Sequence, residues 1–228
     1  MDNFFLIFIL TSMLGLIVFC IFLYLLRKKR RAKYLAHSSE QYGFRFVGDI
    51  DANPKDKFVP LRLFCIRVPG KMKNVLKRNN PKICIFDYEY SIPRDQFVGQ
   101  TVVVLEIRKT KLPPTVIETK KKERFTVAVM RLLTQKLANW QLSYKKVDFS
   151  SHPEFAKSYR VFCENNPESL KEVLTASLMN FLVQNPGWNI EAMDQWLLIY
   201  RPGEYLKPKE FEKFINLVVD IYKLIEQD

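Results

Sequence analysis

Lys82–Ser91 reads KICIFDYEYS, and its alternation decides the fold class. In an extended strand successive side chains point to opposite faces. Cys84, Phe86, Tyr88 and Tyr90 therefore share one face, and Ile83, Ile85, Asp87 and Glu89 share the other. A turn containing Pro93 and Gly99 follows. Gln100–Arg108 (QTVVVLEIR) is then β-branched enough to suit a second, more buried strand. The two segments are expected to pair as a hairpin.

Working back toward the N-terminus, Asp49–Pro60 is polar and Pro-flanked and reads as a loop, and Gly43–Gly48 alternates like a short strand. Residues 27–42 predict a basic helical stalk that ends near Gly43. Before it, Phe4–Leu26 (FFLIFILTSMLGLIVFCIFLYLL) contains no charged residue. At 1.5 Å per residue such a helix is about 34 Å long, enough to cross a hydrocarbon core of about 30 Å. A cleavable signal peptide is the competing reading. It would carry a positive n-region, a shorter apolar core and a small-residue cleavage site. Here only Met1–Asn3 precede the run, and Arg27-Lys28-Lys29-Arg30-Arg31 follow it directly. Arg27–Lys33 carries six positive charges, and basic residues stay on the cytosolic side. The expected layout is an external tail at 1–3, a transmembrane helix at 4–26, the stalk at 27–42 and a cytosolic domain at 43–228.

Working forward, Pro113-Pro114 breaks the chain and Thr115–Thr119 predicts a short strand. Phe125–Trp140 carries a helical stripe through Phe125, Val129, Leu132, Leu133, Leu137 and Trp140. Ser158–Cys163 reads as a strand. Asn166-Pro167-Glu168 caps a helix reaching about Val183, which Asn185-Pro186-Gly187 ends. Trp188–Ala192 and Gln195–Arg201 predict two strands around Met193-Asp194. Pro208 opens a last helix with Phe211, Phe214, Ile215, Val218, Ile221, Tyr222 and Ile225 on one stripe. Antiparallel hairpins with helices grouped later in the chain make the soluble part α+β, ending in a β-α-β-β-α unit.

Charge is unevenly placed within the net +12. Leu61–Lys82 adds seven bases and no acid, and Leu105–Lys146 holds eleven bases against three acids. From Asp148 onward thirteen acids face eight bases, so the distal part is mildly acidic. Arg27, Lys28, Lys29, Arg30, Arg31 and Lys33 are candidates for contact with anionic headgroups, as are Lys120, Lys121, Lys122 and Arg124. Each base near an anionic leaflet contributes about 1 kcal/mol. The bland alternative for the second run is a solvated loop.

Catalytic candidates are few. Asp87 and Glu89, two apart on one strand face, could place two carboxylates in one space. His152, beside Asp148 and Glu154, could act as a base. The more economical reading of Ser151-His152-Pro153-Glu154 is a capping box, with Ser151 as the N-cap. No phosphate-cradling glycine loop, G-x-S-x-G or H-E-x-x-H occurs among the 7 glycines and 2 histidines. The 4 cysteines (Cys20, Cys65, Cys84 and Cys163) are scattered without metal-ligand spacing and read as free thiols in a reducing compartment. No cofactor or metal is called for.

Several short motifs occur together: Asn74-Val75-Leu76, Phe86-Asp87-Tyr88-x-Tyr90, Gln100-Thr101-Val102, and Asp148-Phe149-x-x-His152-Pro153-Glu154-Phe155 with Tyr159. This set resembles a family of uncharacterised bacterial membrane-anchored proteins over residues 42–225. The resemblance implies one folded module at the bacterial plasma membrane and carries no catalytic role. The leading expectation is a non-catalytic binding or scaffolding module, with the bilayer and an unidentified protein as partners. A hydrolase using Asp87, Glu89 or His152 is the alternative, and nucleic-acid binding is the third reading.

Overall fold

A computed structural model describes residues 2–58, 61–65, 70–92, 96–109, 111–120, 144–164 and 167–226. The helix α1 (Asp2–Glu40) runs for 39 residues, about 58 Å at 1.5 Å per residue. Its apolar half reaches a mean hydropathy of 2.6 and is not buried against the described residues. Among the described residues it is one helix long and apolar enough to cross a membrane. The expected stalk extends the apolar run as part of the same helix. The same helix continues through it and stops where Gly43 takes φ +74°, a conformation glycine adopts without a Cβ penalty. The Gly43 and Phe44 amides donate back to Glu40 and Ser39 at 2.9 and 3.1 Å, satisfying carbonyls of the last turn.

The strands are β1 (Arg45–Ile50), β2 (Lys71–Asn79), β3 (Lys82–Ile92), β4 (Gln96–Glu106), β5 (Leu112–Thr119), β6 (Tyr144–Val147), β7 (Tyr159–Glu164), β8 (Asn189–Asp194) and β9 (Trp196–Tyr200). Among the described residues they form one antiparallel nine-stranded sheet in the order β1-β2-β3-β4-β9-β8-β5-β7-β6. The chain is therefore α+β, and the sheet is continuous across both halves. The join is β4 against β9, with Val102–Glu106 opposite Tyr200–Trp196. β9 is buried along its whole length, as expected of a strand covered on both faces. Lys145 and Lys146 stand exposed on the edge strand β6, a placement that discourages pairing with another chain.

The helices are short α2 (Pro54–Lys57), α3 (Pro153–Ser158), α4 (Pro167–Val173), α5 (Ala176–Gln184) and α6 (Phe211–Glu226), with 3-10 turns at Arg62–Cys65 and Pro208–Glu210. One core lies between the sheet and its helices. Ile85, Val103, Leu197 and Ile199 meet Leu178, Phe214, Val218 and Ile221 there, and Leu35 of α1 joins the same core. The other sheet face carries Phe86, Tyr88, Val102 and Leu198 under Leu63 and Phe64 of the 3-10 turn. The alternation of KICIFDYEYS is thus divided between two cores.

Several expectations need correction. β2 did not stand out because Asn74 sits at φ +51° within a register shift, which breaks the two-residue phase of the strand. Asp49–Pro60 holds α2 as well as loop. Pro113-Pro114 does not break the chain. Both lie at the start of β5, before its pairing with β7 begins at Thr115, so no ladder bond to β7 is lost. The helix expected from Pro167 to Val183 divides at Thr175, whose hydroxyl accepts from the Leu178 amide at 3.3 Å and starts α5. The capping box at Ser151 is absent. His152 is the N-cap residue, with no side-chain cap bond, and Ser151 Oγ instead meets His152 Nδ1 at 3.1 Å. The helix expected at 125–140 lies outside the described residues.

Ile221 on α6 is fully buried against the sheet. Ile221→Ala should cost about 2–5 kcal/mol in a denaturant titration of the detergent-solubilised chain, as large-to-small core changes do.

Candidate functional site

Asp87 occupies the helix-facing side of β3 and is 3% exposed. A carboxylate so placed needs partners for both oxygens. It has four. Arg31 donates Nε to Oδ2 and Nη2 to Oδ1, both at 2.7 Å. Asn74 Nδ2 donates at 2.8 Å from β2, and Thr101 Oγ1 donates at 2.7 Å from β4. The two-pronged guanidinium contact is the strong form of such a pair. Arg31 spends its remaining group, Nη1, on the Leu206 carbonyl at 2.7 Å, and its plane lies 5.2 Å from the centre of the Tyr205 ring. The Leu206 amide closes the circuit by donating to Thr101 Oγ1 at 2.9 Å.

This clamp holds α1 to three strands and to the segment leading into α6. Around it, Lys28 reaches Asp49 at 3.5 Å, Asp49 accepts from the Asn74 amide at 3.0 Å, and Tyr34 donates to the Pro208 carbonyl at 3.0 Å. Glu89, the next residue on the same face, is ion-paired with Lys73 and accepts from the Tyr205 hydroxyl at 2.9 Å. Burial first, and then Glu89, push the Tyr205 phenol well above its usual range. Its ring lies over Gly99, where an added Cβ would fall 1.9 Å from the hydroxyl oxygen. Only a glycine leaves that space open.

A second charged network lies on the opposite sheet face. Glu118 of β5 and Glu191 of β8 are 0% and 1% exposed. Arg62, from the 3-10 turn, bridges them at 2.7 and 3.4 Å. Glu191 also accepts from the Leu63 amide at 2.9 Å and from Tyr200 at 2.8 Å. Burial alone would favour loss of the Arg62 proton, but Tyr200, Glu191 and Glu118 outweigh it and the guanidinium stays charged. Burial, followed by Glu191, drives the Tyr200 phenol upward. This network ties the 3-10 turn to the sheet. Sequence reading missed it, although a lone acid inside VIET and another inside NIEAM mark strands that bury a charge.

The candidate acid–base residues are not assembled. Asp87 and Glu89 share a face, but each is committed to cations and hydroxyls. His152 begins α3 beside β7, five strand positions from β3, or about 24 Å at strand spacing. Among the basic candidates, Arg31 is turned inward, with its side chain 21% exposed. Arg27, Lys28, Lys29, Arg30 and Lys33 are exposed on α1. Lys120 is exposed, its amide bonded to the Ser158 carbonyl at 2.7 Å; Lys121, Lys122 and Arg124 lie outside the described residues. Among the described residues no group of three or more His, Cys, Asp or Glu is arranged to hold a metal ion. Cys84 is buried, and burial raises its thiol to about 11, which keeps it protonated at neutral pH. An apolar cavity under α4, α5 and α6, lined by Leu112, Leu174, Ile190 and Ile221 among others, holds about 30 Å³. That is room for about one water molecule, not for an acyl chain.

No family model and no curated protein matches the sequence. Among solved structures, the crystal structure of the mycobacterial trehalose monomycolate transport factor A is similar, with a TM-score of 0.56 at 12% identity. The match covers 85% of this chain and 93% of that one, and it shows a shared fold.

Two outcomes test the clamp. Arg31→Ala leaves the Asp87 charge buried without its cation and should cost about 3–5 kcal/mol by chemical denaturation of the solubilised chain. A loss below about 1 kcal/mol, the range of an exposed pair, would show that the pair does not hold the helix. The tyrosines set an alkaline limit. Tyr88 and Tyr159 are raised to about 12 by burial, and Tyr200 and Tyr205 also lie above the ordinary value. A phenol whose folded pKa exceeds its unfolded one supports folding fully below about pH 10, and this contribution fades as pH climbs toward the folded values. Phenolate absorbance from these tyrosines should therefore appear only above the ordinary range, and unfolding should become easier above about pH 10.

Proposed function

We propose that the chain is a single-pass plasma-membrane protein of a bacterium. Its N-terminus lies outside, and its α+β domain is a non-catalytic binding or scaffolding module held against the cytosolic leaflet. The observation that carries this reading is continuity. The apolar helix passes without a break into the segment that Arg31 and Asp87 bind to the sheet, so the anchor and the domain are one body.

Two further features support it. The two candidate carboxylates, Asp87 and Glu89, are consumed in holding α1 and Lys73, and His152 stands at the other end of the sheet. Arg27, Lys28, Lys29, Arg30 and Lys33 stay exposed just beyond the apolar run, where anionic headgroups would meet them. The fold shared with a mycobacterial transport factor is compatible with a membrane-associated, non-catalytic role, and no substrate is carried over from it.

Membrane fractions from bacteria producing the chain should retain it through alkaline carbonate extraction. A C-terminal tag should survive protease added to intact spheroplasts and be lost only after lysis. Release by carbonate would remove the anchor reading, and cleavage from outside would reverse the orientation. Replacing Arg27, Lys29 and Arg30 together by Gln, with Arg31 kept for the fold, should yield a population of mixed topology in the same assay.

A further inference from the structure

Phe97 is 81% exposed, although it sits on a strand of a well-buried sheet. It lies on β4 opposite Ser91, two residues from Gly99 on the side away from Thr101. Its face is the one that carries Asp87 and Thr101, which is also the face on which α1 lies.

The position of β3 and β4 relative to α1 follows from the contacts. Asn74 on β2 shares Asp87 with Arg31, and Arg78 on β2 reaches the Tyr42 carbonyl at 3.4 Å. Four residues of strand, about 13 Å, thus accompany eleven residues of helix, about 16 Å. Strand and helix run side by side. The C-terminal side follows the same track: Arg31 meets Tyr205, Tyr34 meets Pro208 and the Tyr42 ring meets Phe211 at 5.9 Å. Because β3 runs opposite to β2, the chain beyond Asp87 heads back along α1 toward its apolar half. The same end of β2 brings Lys73 into electrostatic range of Tyr24.

Distances then fix the level of Phe97. Ser91, its partner, lies four residues past Asp87, about 13 Å along the strand. Leu26, the last residue of the apolar run, lies five residues before Arg31, about 7–8 Å along the helix. Phe97 therefore stands about 5 Å beyond the end of the apolar run, on the side of the bilayer. Apolar side chains of surface-bound elements sit about 5–10 Å into the boundary between headgroups and acyl chains.

We propose that Phe97, on β4, is a second membrane contact and inserts into the headgroup–acyl boundary of the bilayer that α1 spans. Tyr24 and Tyr205, 59% and 40% exposed, stand near the same level, where amphipathic rings are favoured. Lys71, exposed at the start of β2, would face the phosphates. The helix and Phe97 together would fix the tilt of the sheet on the membrane, since two points of attachment leave less freedom than one.

This inference rests on α1 being a membrane anchor, so its test separates the two. The full chain carrying Cys20→Ala and Cys65→Ala receives an environment-sensitive fluorophore at Phe97→Cys or, as the reference, at Lys145→Cys on the far edge strand. Both are reconstituted in vesicles of phosphatidylcholine and phosphatidylglycerol. Phe97 touches no core, so its replacement leaves packing intact. The expected result is a blue-shifted emission at position 97 and, for a probe at the depth given above, at least about threefold stronger quenching by lipids spin-labelled near the headgroup than at position 145. Equal quenching at the two positions, in chain that resists carbonate extraction, overturns the Phe97 contact and leaves the anchor standing. Chain released by carbonate overturns both.

Discussion

Arg31 and Asp87 lie 56 residues apart in sequence and meet through two bonds of 2.7 Å. An arginine at the end of an apolar helix would ordinarily turn toward water or phosphate. Here it enters the domain because a carboxylate held by Asn74 and Thr101 at 3% exposure needs a cation beside it as well. Neither partner is tolerable alone in that position, and both are satisfied together. The pair therefore fixes the point along α1 at which the sheet docks. Leu35, Ser39 and the glycine stop at Gly43 then follow from the helix continuing over the sheet in one direction.

A consequence is mechanical. Single-span proteins often separate anchor and domain by a flexible linker, which lets the domain sample many orientations. In this chain the helix itself is the connection, and its last turns are part of the core. The end of the apolar run is only about 7–8 Å along the helix from the clamp, so the sheet begins close to that run. The domain is thereby held at a defined height and angle relative to α1.

The sheet has its own point of dependence at the β4–β9 pairing. The hairpin half, β1 to β4, and the C-terminal half, β5 to β9, each bury only part of their apolar surface. Joining them makes β9 a central strand with Leu197 and Ile199 in one core and Leu198 and Tyr200 in the other. The Arg62 network stabilises this arrangement from the second face by tying the turn before β2 to β5 and β8. The two buried charge clusters thus perform the same kind of task on opposite faces: each brings a segment from outside the sheet and holds it there.

Legibility followed the range of the interaction involved. The apolar run at 4–26, the alternation of KICIFDYEYS, the β8–β9 pair and the stripe of the last helix are local patterns, so residue spacing alone determined them. The glycine stop of α1 was equally local. β2 was hidden because Asn74 shifts the phase of its side chains, and the division of α4 from α5 at Thr175 was masked by an apolar stripe that runs across both. What the tertiary structure alone decided was the fate of the charges and the continuity of the sheet. Asp87 reads as a catalytic candidate, and Arg31 as a lipid-facing base, until the fold brings them together. Glu118 and Glu191 draw no notice until Arg62 arrives between them. The physical reason is that a strand's face is fixed by neighbours one and two residues away, whereas the state of a buried charge depends on a partner delivered from a distant part of the chain.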